Sequence, residues 1–282
     1  MTLEPERLGK SRSDLAEALR AERRRAGLNQ TVLAKRCNMS QTKISNIESR
    51  KLTPTIVDVE LILEALQADG KLAREILSLA RSANTEWQDD WSSRKRGLDK
   101  KQNELSRLEA VTTEFRFFLP TMITGLLATP EYVRGSLSRN AGDMSKTIAK
   151  KLERQRVLMD SSKRFTFLLT EQAVKWPIIS PLEMAMQLDR LVSLSRIPAV
   201  RIGIIPNGLV GPVGVNPLSV FTVYDRRLVT VETPTGALLL RDHRDIAEIR
   251  EHFDRYEELA VFGDDCRSLL NDWSMIFTRQ RA

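Results

Sequence analysis

Histidine and cysteine are scarce in this sequence, with two of each in 282 residues. His243 and His252 stand nine positions apart, which on one helix turns them about 180° from each other at ~3.6 residues per turn. A two-histidine metal face needs a spacing of three or four, so neither a metal nor another cofactor is expected. Cys37 and Cys266 form no CxxC pair and read as idle or buried thiols, because a disulfide would be unusual in the cytoplasm. No apolar run approaches the ~20 residues that cross a bilayer, and the opening MTLEPERLGKSRSD lacks the apolar middle of a signal peptide. A cytoplasmic protein with no membrane partner is the expectation. GxGxxG and GxxxxGK[ST] are both missing. The glycine-rich GLVGPVGVN at 208–216 lacks the lysine and helix start of a phosphate cradle, and reads as a flexible loop between strands, a lid or contact loop. Asp89-Asp90 and Asp264-Asp265 are adjacent pairs whose side chains diverge, and Asp264 is more simply a helix N-cap. No serine or cysteine has an evident histidine partner. The chain reads as a non-enzyme.

What is present is a core and an uneven charge. Hydrophobic residues make up 41% of the chain, enough for ordinary cores, and the length suggests about two domains. The net charge is +7, and residues 1–51 carry 12 Lys/Arg against 6 Asp/Glu. A basic excess on one small segment is the electrostatic footprint of nucleic-acid binding.

That segment has helical punctuation. Ser13 can cap a helix that runs to Ala26 and stops at Gly27. Asn29 can cap a second, Gln30–Cys37, with Val32, Leu33 and Ala34 inward. Asn38 suits the positive φ of a tight turn. Ser40 can cap a third, Gln41–Ser49, with Ile44 and Ile47 inward. Gln41, Thr42, Lys43, Ser45 and Asn46 are then left outward. This is helix-turn-helix spacing, in which the second helix of the pair enters the major groove. Gln and Asn suit adenine and Lys suits guanine, so these five are the candidate base-reading residues. Thr55 can cap a helix over roughly Ile56–Leu66, with Val59, Leu61, Ile62 and Leu66 apolar, and Leu72–Arg81 completes a five-helix set.

Gln30, Leu33-Ala34, Ser40-Gln41-Thr42, Ile44-Ser45-x-Ile47-Glu48 and Pro54 resemble the Cro/C1-type (xenobiotic-response-element) helix-turn-helix family. The resemblance implies that Gln30 sits on a phosphate and that Glu48 is an internal salt-bridge partner. Where that family often has Gly, this chain has Arg50. Arg50 and its neighbour Lys51 are further candidate phosphate ligands.

Farther on, residues 84–100 read as a linker or a helix docking through Trp87 and Trp91, and Leu105, Leu108 and Val111 suggest a helix. Strand-like runs lie at Phe115–Phe118, 164–170, Val200–Ile205, Leu218–Tyr224, Arg227–Glu232 and Leu238–Leu240. Helices are expected at Met144–Met159, 181–195, Asp245–Phe262 and Asp264–Thr278. In the last, Cys266, Leu269, Leu270, Trp273, Ile276 and Phe277 form an apolar stripe, either core, which is the default, or a subunit interface. MITGLLATPEY at 122–132 resembles the PGLLQTPEY signature of actinobacterial WhiJ-like regulators, with Thr124 and Ala128 as departures. Arg154-Gln155, Glu171, Gln187-Leu188-x-x-Leu191 and Val231-Glu232 follow in that family's order. The resemblance implies an antitoxin-like C-terminal domain, often paired with a small companion protein.

The expected fold class is α+β: an all-α helix-turn-helix domain at 1–83, a linker and docking helix at 84–110, and a larger mixed α/β domain at 111–282 around a small sheet. The expected function is transcription regulation on double-stranded DNA by a homodimer associated with the nucleoid. The C-terminal domain would dimerise or receive a companion protein or a small-molecule effector. An antitoxin-like interaction module, with DNA binding secondary, is the rival.

Overall fold

The computed structural model describes residues 6–89, 98–138, 143–208, 219–233 and 236–280. The fold is α+β, as expected: a five-helix region followed by a mixed α/β region. Two compact units divide the chain. One is Met1–Gln88 with Leu238–Ile246, and the other is Asp89–Ala237 with Ala247–Ala282.

The smaller unit holds α1 (Glu6–Arg25), α2 (Gln30–Arg36), α3 (Gln41–Glu48), α4 (Ile56–Ala65) and α5 (Gly70–Asn84). Its core joins Leu15 and Leu19 of α1, Leu33 and Ala34 of α2, Ile44 and Ile47 of α3, Val59, Ile62 and Leu63 of α4, and Ile76 and Ala80 of α5. The apolar periodicity predicted most of these. It misjudged Val32 and Leu61, which are exposed, because an apolar side chain on a helix flank is buried only if a neighbour covers it. Helix α1 begins seven residues before Ser13, so Ser13 does not cap it; its hydroxyl instead donates to Glu17 one turn on, at 3.5 Å. Asn84 donates to the carbonyls of Pro54 and Ala80, both at 2.9 Å, tying the end of α5 to the loop before α4.

Segment 238–246, distant in sequence, also belongs to this unit. Asp242, buried, accepts from the first amide of α4 at Ile56, 3.4 Å. Arg244 forms a two-pronged pair with Glu60 of α4, at 2.9 and 2.6 Å. A carboxylate at the first turn of a helix satisfies a donor that has no partner within the helix. Strand β1 (Thr85–Asp89) neighbours β7 (Gly236–Leu240). The polar composition of 84–100 concealed that strand, and Trp91 lies outside the described residues.

In the larger unit, α6 (Leu98–Val111) leads to β2 (Glu114–Leu119). Then come α7 (Pro130–Ser136), α8 (Ser145–Arg154) with a 3-10 turn at Gln155–Met159, β3 (Arg164–Thr170), α9 (Glu171–Lys175), α10 (Pro181–Leu194) and β4 (Val200–Ile205). A hairpin of β5 (Phe221–Tyr224) and β6 (Leu228–Thr233) follows, and α11 (His243–Glu258), which belongs to this unit from Ala247 on, and α12 (Gly263–Arg279) close the chain. The strands run in the order β6-β5-β2-β3-β4, with β2, β3 and β4 parallel and the hairpin antiparallel. The β2–β3 register sets Phe115 opposite Phe165 and Phe117 opposite Phe167. Both pairs stack, with ring centroids 4.5 and 4.6 Å apart. Phe118 points to the other face and stacks on Tyr256 of α11 at 4.1 Å. The hairpin turns at Asp225, φ +50°.

Gly203 of β4 has to be glycine: a Cβ there would come within 2.6 Å of the Phe262 ring. Of the stripe on α12, Cys266, Leu270, Trp273 and Phe277 are buried, while Ile276 is half exposed. Burial pushes the Cys266 thiol up to about 11, so it stays protonated and unreactive at neutral pH. Asp264 is not the cap of α12; Phe262 holds that position and Asp264 pairs with Arg267 at 2.6 Å. The glycine-rich loop at 209–216 lies outside the described residues.

Candidate nucleic-acid interface

Local chemistry builds the α2–turn–α3 element. Gly27 ends α1 at φ +69°, a conformation that glycine takes without strain. The Asn29 side chain accepts from Val32 N at 2.8 Å and caps α2. Asn38 turns the chain at φ +53°, and the Ser40 hydroxyl accepts from Lys43 N at 3.1 Å to cap α3. Ile44 and Ile47 bury one side of α3, leaving Gln41 and Thr42 exposed and Ser45 and Asn46 half-buried on the other.

A chain of hydrogen bonds runs from the core to that outer face. Arg23 of α1 donates two bonds to Glu48, at 2.6 and 2.9 Å, and a third to the Leu28 carbonyl at 2.6 Å. Gln30 donates to the same carboxylate at 2.9 Å. Gln41 donates to the Gln30 carbonyl oxygen at 3.0 Å. Burial pushes the Glu48 carboxyl up, but the bonds from Arg23 and Gln30 and the Arg23 charge outweigh it and hold it below its usual range. Glu48 is thus the internal ion-pair partner that the family resemblance implied. The Gln41 amide keeps its oxygen and one N–H for an outside partner while its orientation is fixed from below.

The other predicted residues divide. Lys51 is exposed and has no ion-pair partner among the described residues. Arg50 is exposed but pairs with Glu17 of α1. Lys43 turns toward α4, where its Nζ lies 2.6 Å from Asp58 Oδ1. Sequence reasoning missed Arg23, Glu17 and Asp58. Only Asp58 carried a local signal, since it stands three residues after Thr55 in the spacing of a capping box.

Arg50 sits at φ +66°, at the position where the resemblance led one to expect glycine. The left-handed conformation costs a side-chain-bearing residue roughly 1–2 kcal/mol, part of which glycine returns through its freedom in the unfolded chain. Arg50→Gly is therefore expected to raise stability by about 0.5–1 kcal/mol, read as a higher denaturant midpoint at unchanged slope. A lowered midpoint would show that the Glu17 pair outweighs the strain.

In the larger unit the 122–132 segment is fastened from within. Gln155 donates to the carbonyls of Gly125 and Ala128, at 2.9 and 2.7 Å. Gln187 accepts from Thr129 N at 2.7 Å and donates to the Leu127 carbonyl at 3.1 Å. The Tyr132 hydroxyl accepts from Ile123 N at 3.1 Å. The Ala128 side chain is buried. Gln155, Gln187 and Tyr132, which the family resemblance singled out, form a structural fastening.

No helix among the described residues is long and apolar enough to cross a membrane. Residues 14–76 match the family model described as a helix-turn-helix domain. No curated protein sequence matches the chain. Among solved structures, TrmBL2, described as an archaeal chromatin protein with a novel mode of DNA binding, is 13% identical. That alignment covers 71% of this chain and 65% of that one, with a TM-score of 0.32. NucT from Helicobacter pylori is 9% identical over 64% of this chain and 98% of that one, with a TM-score of 0.36. Both likenesses are too loose to place the fold. Residues 102–272, more than half of the chain, match the model described as "Domain of unknown function (DUF5753)", and the chain belongs to that family.

Proposed function

We propose that the protein is a sequence-specific DNA-binding regulator of transcription rather than an enzyme. Helix α3 enters the major groove of double-stranded DNA, and Gln41, Thr42, Ser45 and Asn46 meet base edges. Gln30, Arg50 and Lys51 rest on phosphates, which position the domain without specifying sequence. The observation that carries this reading is the bonded chain Arg23–Glu48–Gln30–Gln41. It holds an exposed amide in one orientation at the start of α3, and a reader held in place before binding loses less entropy on contact. The basic excess of residues 1–51 and the match to a helix-turn-helix model support the same reading.

One short helix reads only a few base pairs, so the working form is a homodimer on half-sites about 34 Å apart. The larger unit serves dimerisation, or the reception of a companion protein or a small effector, in a regulator of the Cro/C1 and WhiJ-like kind acting at the nucleoid.

Titration of the full chain against its preferred duplex and a scrambled one tests the reading. Gln41→Ala is expected to cost about 1–3 kcal/mol on the preferred duplex and little on the scrambled one. Lys51→Ala is expected to weaken both alike and to flatten the salt slope by about one unit. Equal losses on both duplexes for Gln41→Ala would remove it from the readers.

A further inference from the structure

The one cation among the five outward residues of α3 is not free. Lys43 Nζ lies 2.6 Å from Asp58 Oδ1, and the carboxylate side chain is only 11% exposed. Asp58 is itself locked: its Oδ2 accepts from Thr55 N at 3.2 Å, while the Thr55 hydroxyl accepts from Asp58 N at 3.1 Å, a complete capping box at the start of α4. Asp58 cannot follow Lys43 outward without uncapping that helix. If Lys43 left alone, a largely buried carboxylate would lose the only charged partner it has among the described residues, a costly state. A guanine edge offers Lys43 a neutral acceptor in exchange, which does not match that loss.

We propose that Asp58 is a specificity-determining residue that withholds Lys43 from guanine. Helix α3 then selects with neutral amides and hydroxyls alone. Gln41 and Asn46 can each bond adenine in two-pronged fashion, whereas a free lysine at position 43 would donate to guanine O6 and N7. No guanine is therefore selected at the step facing residue 43, and Lys43 adds nothing to the count of neutralised phosphates that sets the salt slope. The inference rests on α3 being the helix that enters the groove.

Asp58→Asn tests it in the full chain. Asparagine keeps a carbonyl oxygen for Thr55 N and removes the charge, and Asp58→Ser is a second neutral variant. Base preference is read by selection from a randomised duplex pool, and the salt slope by titration on the selected site. The expected result is guanine enriched at one position of each half-site and a slope steeper by about one unit. Adding Lys43→Gln to Asp58→Asn should return both to the wild-type values. Neutral variants with wild-type preference and slope would overturn the proposal, as would a wild-type slope flattened by Lys43→Gln alone. If the wild-type protein selects its sequence through Gln41 while Asp58→Asn behaves like wild type, only the role of Asp58 fails. If the wild type selects no sequence and Gln41→Ala changes nothing, α3 is not the groove helix and both readings fall.

Discussion

Glu48→Ala is expected to destabilise the helix-turn-helix unit by about 3–5 kcal/mol, the range for removing one member of a buried ion pair. The alanine strands Arg23, whose guanidinium is largely buried and keeps, among the described residues, only the Leu28 carbonyl at 2.6 Å. It also releases Gln30, and through it Gln41. Denaturant unfolding of the full chain should show an early transition absent from the wild type. On the proposed function, operator preference should weaken even under conditions where the variant is folded, because the Gln41 amide has lost its support. The same carboxylate sets an acid limit. Its folded value lies below the ordinary 4.5, so its contribution is complete above that value and is lost as pH falls through the lower, folded one. Glu48→Gln should abolish this part of the acid dependence. An unchanged acid profile would show that the pair contributes nothing net.

Lys163→Met is expected to cost the larger unit a similar amount. The Lys163 side chain is buried, and its Nζ donates to the carbonyls of Glu109, Ala110 and Thr112, at 2.9, 3.2 and 2.7 Å. Glu109 and Ala110 belong to the last turn of α6, where carbonyls have no partner within the helix and the helix dipole favours a cation. Methionine fills the same space and satisfies none of the three. Unsatisfied buried acceptors cost about 1–3 kcal/mol each, and because these three are coupled through one ammonium group the total should fall near 3–5 kcal/mol rather than at their sum. Denaturant unfolding measures it. A loss under about 1 kcal/mol would mean that water replaces the ammonium.

Features whose cause lies within a few residues were legible before the fold was known. Asn29, Ser40 and Thr55 cap the helices they precede, and Asn38 takes its positive φ. The strands Glu114–Leu119, Arg164–Thr170 and Val200–Ile205 fall where β-branched and aromatic residues cluster. Features whose cause lies far along the chain were not legible. Arg23 and Glu48 are 25 residues apart, and Lys43 and Asp58 are 15 apart; spacing alone cannot pair them. The outward face of α3 could be read from its period. That Lys43 on this face leans back onto α4 depends on where α4 packs, which is tertiary information. Met159 and Val111 stayed exposed for the reason Val32 did: periodicity names a face without naming what covers it.

Binding-site selection by the full chain from randomised duplex DNA, with wild type and Gln41→Ala side by side, decides whether α3 reads sequence. Specific sites are commonly bound ~10³-fold or more tightly than random DNA. The wild type is expected to enrich one recurrent half-site of that quality, and Gln41→Ala to lose discrimination at a single base pair within it. A pool that remains random, or a recurrent site that Gln41→Ala selects unchanged, would contradict it.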